Sequence, residues 1–132
     1  MKLETRPVSP ALGVEILNLD LACPLSEETA AELRALYAKH HLLLLRDQAI
    51  EGEAQVRFAE VIGPISHRAP AMRNTSTAFV SNGRPDGILG DGELYFHSDN
   101  TFFEHPLKAT GLYAMELPPS GGDTLFSNCA AV

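Results

Sequence analysis

The sequence predicts an α+β or all-β core with flanking helices. Three observations predict it. The first half holds two segments of helical periodicity, each bounded by its own start or stop signal. A short aliphatic run lies between them. The last third alternates short β-prone runs with turn formers. Helices first and strands later is the order that supports this class.

Each element follows from local chemistry. Val14, Ile16 and Leu19 alternate with Glu15 and Asn18, which reads as a half-buried strand. Ser26 can cap a helix, and Glu27 and Glu28 suit the positive end of its dipole. That helix runs to about Lys39, with Ala30, Leu33, Leu36 and Tyr37 on one face. Lys39, His40 and His41 close it at the end that favours positive charge. Leu42-Leu43-Leu44-Leu45 reads as a buried strand, closed by Arg46-Asp47-Gln48. A second helix is predicted over Gly52 to Ile62. Ala54, Phe58, Val61 and Ile62 form its stripe, and Gly63-Pro64 stops it.

From Ser66 to Gly92 the chain is broken by Pro, Gly, Asn and Ser, and only Ala78 to Ser81 suggests a strand. Tyr95 to Asp99, Thr101 to Phe103, Ala109 to Glu116 and Thr124 to Phe126 are further strand candidates. The turn Pro118-Pro119-Ser120-Gly121-Gly122-Asp123 precedes the last of them. Ser127-Asn128 has the chemistry of a helix cap with little helix behind it, so a truncated chain is the expectation.

Composition excludes several classes. Apolar residues make up 45% and charged residues 20%, too apolar for a disordered chain. A net charge of −7 with scattered Lys and Arg offers no basic patch, so neither nucleic acid nor an anionic membrane surface is an expected partner. No apolar run could span a bilayer, and Met1 to Pro7 has no signal-peptide core. Cys23 and Cys129 stand far apart and indicate neither a disulfide framework nor a Cys-based zinc site. A soluble, cytoplasmic protein is the expectation.

His97-Ser98-Asp99 is the main chemical candidate. Residues two apart on a strand share a face, so an imidazole and a carboxylate converge where a divalent metal could sit. Two His and one carboxylate make the facial triad of non-haem Fe(II) oxygenases. The competing reading is a hydrogen-bonded His–Asp pair on a surface strand. Tyr95, Phe96, Phe102 and Phe103 flank the pair and predict an apolar wall around it. Gly121-Gly122-Asp123-Thr124 is either an ordinary hairpin turn or a turn that presents the Thr124 hydroxyl to an anion.

His97-Ser98-Asp99-Asn100-Thr101-Phe102, Pro106, Glu116-Leu117-Pro118 and Gly121-Gly122-Asp123-Thr124-Leu125-Phe126 together resemble the core signature of the taurine/chlorophenoxyacetate (TauD/TfdA) dioxygenase family. Gly13-Val14-Glu15-Ile16, Asp20-Leu21, Pro24-Leu25-Ser26 and Leu45-Arg46-Asp47-Gln48 resemble its N-terminal part. The resemblance implies a mainly β, double-stranded β-helix (jelly-roll) domain with flanking helices. It would occupy residues 1–132 as a single domain, incomplete in this chain. It implies Fe(II), 2-oxoglutarate as co-substrate and O2, with a small organic substrate hydroxylated and succinate and CO2 released. His97 and Asp99 are then the first two iron ligands and the catalytic pair, and Thr124 helps hold a carboxylate of 2-oxoglutarate.

Three further residues are substrate candidates. His67 lies near a substrate-binding His of the family, slightly out of register. Glu93 stands where members acting on taurine carry an amide, and a carboxylate there would repel a sulfonate. Asn100 follows the ligand pair directly. The family's third ligand, a distal His, and an Arg that clamps 2-oxoglutarate lie downstream of the Gly-Gly-Asp-Thr turn. No counterpart of either stands in this sequence; Arg46, Arg57, Arg68, Arg73 and Arg84 all precede the pair. His105 is the in-chain candidate for a third ligand, against a plain loop role. Stand-alone activity is therefore doubtful on the sequence. Two other readings remain open: a truncated, inactive homologue acting as an oligomerisation or interaction module, and a cupin-like jelly roll binding another divalent metal. An incomplete barrel with bare strand edges also favours homo-oligomers.

Overall fold

The structure is a computed structural model, and it describes residues 2–67, 77–88 and 94–131. Its ordered heart is a three-stranded mixed sheet with two helices. β1 (Thr5–Pro7) pairs antiparallel with β2 (Val14–Ile16), and β2 pairs parallel with β3 (Leu43–Leu44). The order is β1-β2-β3, so β2 is central and all three of its residues are buried. Pro7 lacks an N–H and is tolerated because β1 is an edge. The crossover from β2 to β3 carries α1 (Glu27–His40), as a parallel connection requires. α2 (Gly52–Ile62) follows β3 and packs on α1.

α1 begins where its cap chemistry places it. The Thr29 amide donates to the Ser26 hydroxyl at 3.2 Å, and Glu27 and Glu28 occupy the first turn. It ends at His41, which adopts a left-handed φ of 64° while its amide donates to the Tyr37 carbonyl at 2.8 Å. α1 buries Thr29, Ala30 and Leu33, and α2 buries Ala54 and Ile62. Leu33 meets Leu3, Ile16, Leu19 and Leu21 in one cluster, rimmed by Leu36, Leu43, Phe58 and Val61 among others. This core lies wholly within the first half of the chain.

One buried charge sits in the sheet. Glu15 on β2 is 7% exposed. Its Oε2 accepts from Arg6 Nε at 3.1 Å and Nη2 at 2.7 Å, and its Oε1 lies 3.3 Å from Arg46 Nε. Two guanidiniums thus clamp one carboxylate from β1 and from the segment after β3. Glu15→Gln keeps the shape and removes the charge, so it is expected to cost about 1.5–3 kcal/mol, the range for hydrogen bonds to a charged group. Urea denaturation measures it, and an unchanged midpoint would show that the clamp contributes nothing.

The last third departs from the predicted strands. Among the described residues, 94–131 form no strand; Cys129–Ala131 make a single 3-10 turn, with the Ala130 amide donating to Asn128 Oδ1 at 2.9 Å. Residues 95–99, 101–103, 109–116 and 124–126 all have β-prone side chains but find no neighbouring strand here. Strand preference is largely a preference for packing on neighbours, and without them it is not expressed. A mainly β architecture is therefore not what the described residues show, since helices of 14 and 11 residues outweigh strands of 3, 3 and 2. No jelly-roll strands are formed among them. The strand expected at Ala78 to Ser81 reduces to one bridge, Phe79 to Gly87. In that loop Arg84 stacks 3.8 Å over the Phe79 ring and donates to both Asp86 oxygens at 2.8 and 3.0 Å. Those hydrogen bonds hold the Asp86 carboxyl below its ordinary pKa and raise that of Arg84.

Among the described residues, hydrogen bonds tether the last third to the first half. Tyr37 donates to the Lys108 carbonyl at 2.8 Å and Lys108 Nζ to the Ile62 carbonyl at 2.8 Å. Tyr113 donates to the Gln48 carbonyl at 3.1 Å, and Asn128 Nδ2 to the Ala11 carbonyl at 2.8 Å. Apolar packing adds little, because Tyr95, Phe96, Phe102 and Leu117 stay 70–82% exposed. The whole protein exposes 10079 Å². A compact monomer of 14.3 kDa exposes about 6,800 Å². Among the described residues no helix is long and apolar enough to cross a membrane.

Candidate functional site

His97 and Asp99 converge as the sequence predicts, by a different route. No strand holds them. The chain turns after Asp99, with Asn100 at a left-handed φ of 52° and the Phe103 amide donating to the Asn100 carbonyl at 3.4 Å. Asparagine tolerates that conformation better than most residues. His97 Nε2 ends 3.3 Å from Asp99 Oδ1. On the other side of the ring, His97 Nδ1 lies 2.7 Å from the Tyr95 carbonyl. Asp99 Oδ2 accepts from the Thr110 hydroxyl at 2.9 Å.

The expected apolar wall is absent. The side chains of His97 and Asp99 are 56% and 44% exposed, and the flanking Tyr95, Phe96 and Phe102 are exposed with them. Sequence neighbours make a wall only when something packs on them; Phe102 and Phe103 meet, with ring centroids 4.7 Å apart. An exposed ion pair adds little to stability.

The hydrogen bonds define what the pair can hold. A carbonyl oxygen can only accept, so Nδ1 carries the proton and donates to Tyr95. In the neutral ring that leaves a lone pair on Nε2 facing a carboxylate oxygen. The two atoms, 3.3 Å apart, are donors that one metal ion could share. Neighbouring ligands of an octahedral ion with bonds of about 2.1 Å lie about 3.0 Å apart. The observed 3.3 Å fits that bite, and a neutral imidazole with its other N–H held by a carbonyl is the usual form of a ligating His. Among the described residues no third His, Cys, Asp or Glu completes a metal-binding group, so His105 does not join the pair.

The other predicted residues are placed less tightly. Thr124 is exposed and follows Gly121 and Gly122, which take left-handed φ values of 71° and 73°. Two such residues in succession require glycine or nearly so, which accounts for the Gly-Gly of the motif. A Cβ on Gly122 would come within 3.0 Å of Pro118 Cγ. His67 is exposed on the segment leaving α2. Glu93 lies outside the described residues, as do Arg68 and Arg73. Thr110 is the residue the sequence did not reveal. It stands 11 positions from Asp99, and no motif marks it.

The chain is 31% identical over 134 residues to an alpha-ketoglutarate-dependent sulfate ester dioxygenase of Pseudomonas putida, covering 99% of this chain and 43% of that protein. It is 26% identical over 148 residues to the alpha-ketoglutarate-dependent 2,4-dichlorophenoxyacetate dioxygenase of Cupriavidus pinatubonensis, covering 99% and 52%. A taurine dioxygenase structure from Burkholderia xenovorans aligns at 25% identity with a TM-score of 0.47, over 49% of this chain and 24% of its own. The chain thus spans about half the length of the curated relatives it matches. Residues 4–132 match the family model described as taurine catabolism dioxygenase TauD, TfdA family, and the chain belongs to that family.

Proposed function

We propose that this chain carries the first part of the active site of an Fe(II)- and 2-oxoglutarate-dependent dioxygenase. The observation that carries the proposal is the 3.3 Å approach of His97 Nε2 to Asp99 Oδ1, with Nδ1 held by Tyr95. His97 and Asp99 would hold the metal, with a further donor from outside these two residues. Bound Fe(II) with 2-oxoglutarate and O2 would supply the oxygen activation for hydroxylating a C–H bond, with succinate and CO2 as the co-products.

The protein's own residues orient and protect. The Tyr95 carbonyl fixes the His97 tautomer, so the lone pair is presented at Nε2. Asp99 supplies negative charge that favours a dication over a proton at that point. The Gly121-Gly122 turn presents the Thr124 hydroxyl to a carboxylate of 2-oxoglutarate. Residues 95–126 supply strands of the jelly-roll barrel once neighbours pair with them, and their exposed aromatic side chains then exclude water from the metal. The relatives named above are named for a sulfate ester and for 2,4-dichlorophenoxyacetate. A small organic molecule is the substrate class this supports.

Calorimetric titration with 2-oxoglutarate, with and without Mn(II), tests the proposal. Binding should require the metal. Equal binding without metal, or none with it, would overturn the reading. In the same titration Thr124→Ala should weaken 2-oxoglutarate by about 10- to 100-fold, since a hydrogen bond to a charged group contributes about 1.5–3 kcal/mol. Unchanged affinity would remove Thr124 from the site.

A further inference from the structure

We propose that Thr110 is a positioning residue that ties the metal-binding carboxylate to the protein scaffold. The inference rests on the reading of His97 and Asp99 as a metal pair, and adds to it a residue that neither motif nor family match assigns. The terminal torsion of an Asp side chain is broad and roughly two-fold, so a free carboxylate presents either oxygen and rotates easily. Here Thr110 takes one oxygen. Its hydroxyl donates to Oδ2 at 2.9 Å, and Oδ1 is left facing His97 Nε2 at 3.3 Å.

Thr110 is itself held. It lies between Lys108 and Tyr113. Lys108 is bonded at both its carbonyl and its ammonium, to Tyr37 and to the Ile62 carbonyl, and Tyr113 is bonded to the Gln48 carbonyl. These bonds reach α1, α2 and the segment after β3. The path from the packed core to the exposed pair therefore runs through residues 108–113, and the Thr110 hydroxyl is its last link. Outer-shell groups of this kind orient ligands without touching the metal.

The test is a Mn(II) titration of the 15N-labelled chain, read as paramagnetic broadening of the His97 and Asp99 signals. Four proteins are compared: the parent, Thr110→Val, Thr110→Ser and Asp99→Asn. Thr110→Val should weaken Mn(II) by about 10-fold, at the lower end of the 10- to 100-fold typical of outer-shell partners. Thr110→Ser keeps the hydroxyl and should restore parental affinity. Thr110 is exposed, so neither variant should move the thermal midpoint. Parental affinity in Thr110→Val, with binding lost in Asp99→Asn, would overturn the role of Thr110 and leave the pair standing. Parental affinity in Asp99→Asn would overturn the pair and the inference together. Equal weakening in Thr110→Val and Thr110→Ser, with a lowered midpoint, would assign Thr110 a purely structural role.

Discussion

Replacing His97 by alanine is expected to abolish metal binding at concentrations that saturate the parent protein. The imidazole is the only nitrogen donor of the pair, and its removal leaves Asp99 alone with Thr110. Loss of an outer-shell partner costs about 10- to 100-fold, so loss of a direct ligand should exceed about 100-fold. The Mn(II) signal in electron paramagnetic resonance reports free ion directly and measures this. A His97→Ala protein that binds Mn(II) like the parent would place the metal elsewhere.

Leu33→Ala should destabilise the fold by about 2–5 kcal/mol, the range for truncating a buried leucine. Leu33 is fully buried at the centre of the cluster that joins α1 to β2 and to the Leu19–Leu21 segment. Typical domains hold only about 5–15 kcal/mol, and the buried cluster around Leu33 among the described residues is small. The consequence reaches the site. α1 carries Tyr37, whose hydroxyl anchors Lys108, and Lys108 precedes Thr110 on the path to Asp99. Guanidinium denaturation of both proteins gives the difference. A shift below about 1 kcal/mol would mean that the surroundings close on the cavity.

Local signals were legible in the sequence, and signals that depend on partners were not. The α1 start at Ser26 and the α2 stop at Gly63 are written in caps that need no tertiary context, and both elements stand where predicted. β1 was missed because Thr5–Pro7 is too short for a period and contains a proline; it exists because β2 pairs with it. The strands expected in the last third failed for the converse reason, having β-prone side chains and no neighbour. The approach of His97 to Asp99 was legible from their spacing, although a turn and not a strand produces it. Their burial was not, since aromatic neighbours in sequence need something to pack against. The Thr110 bond depends on the tethers at Lys108 and Tyr113, which no local pattern encodes.

The most direct test of the central claim is an anaerobic titration with Fe(II) and then 2-oxoglutarate, followed by visible absorbance. The account predicts a metal-to-ligand charge-transfer band that appears only with both additions and is lost in His97→Ala. No band in the parent protein, or the same band in His97→Ala, would contradict it.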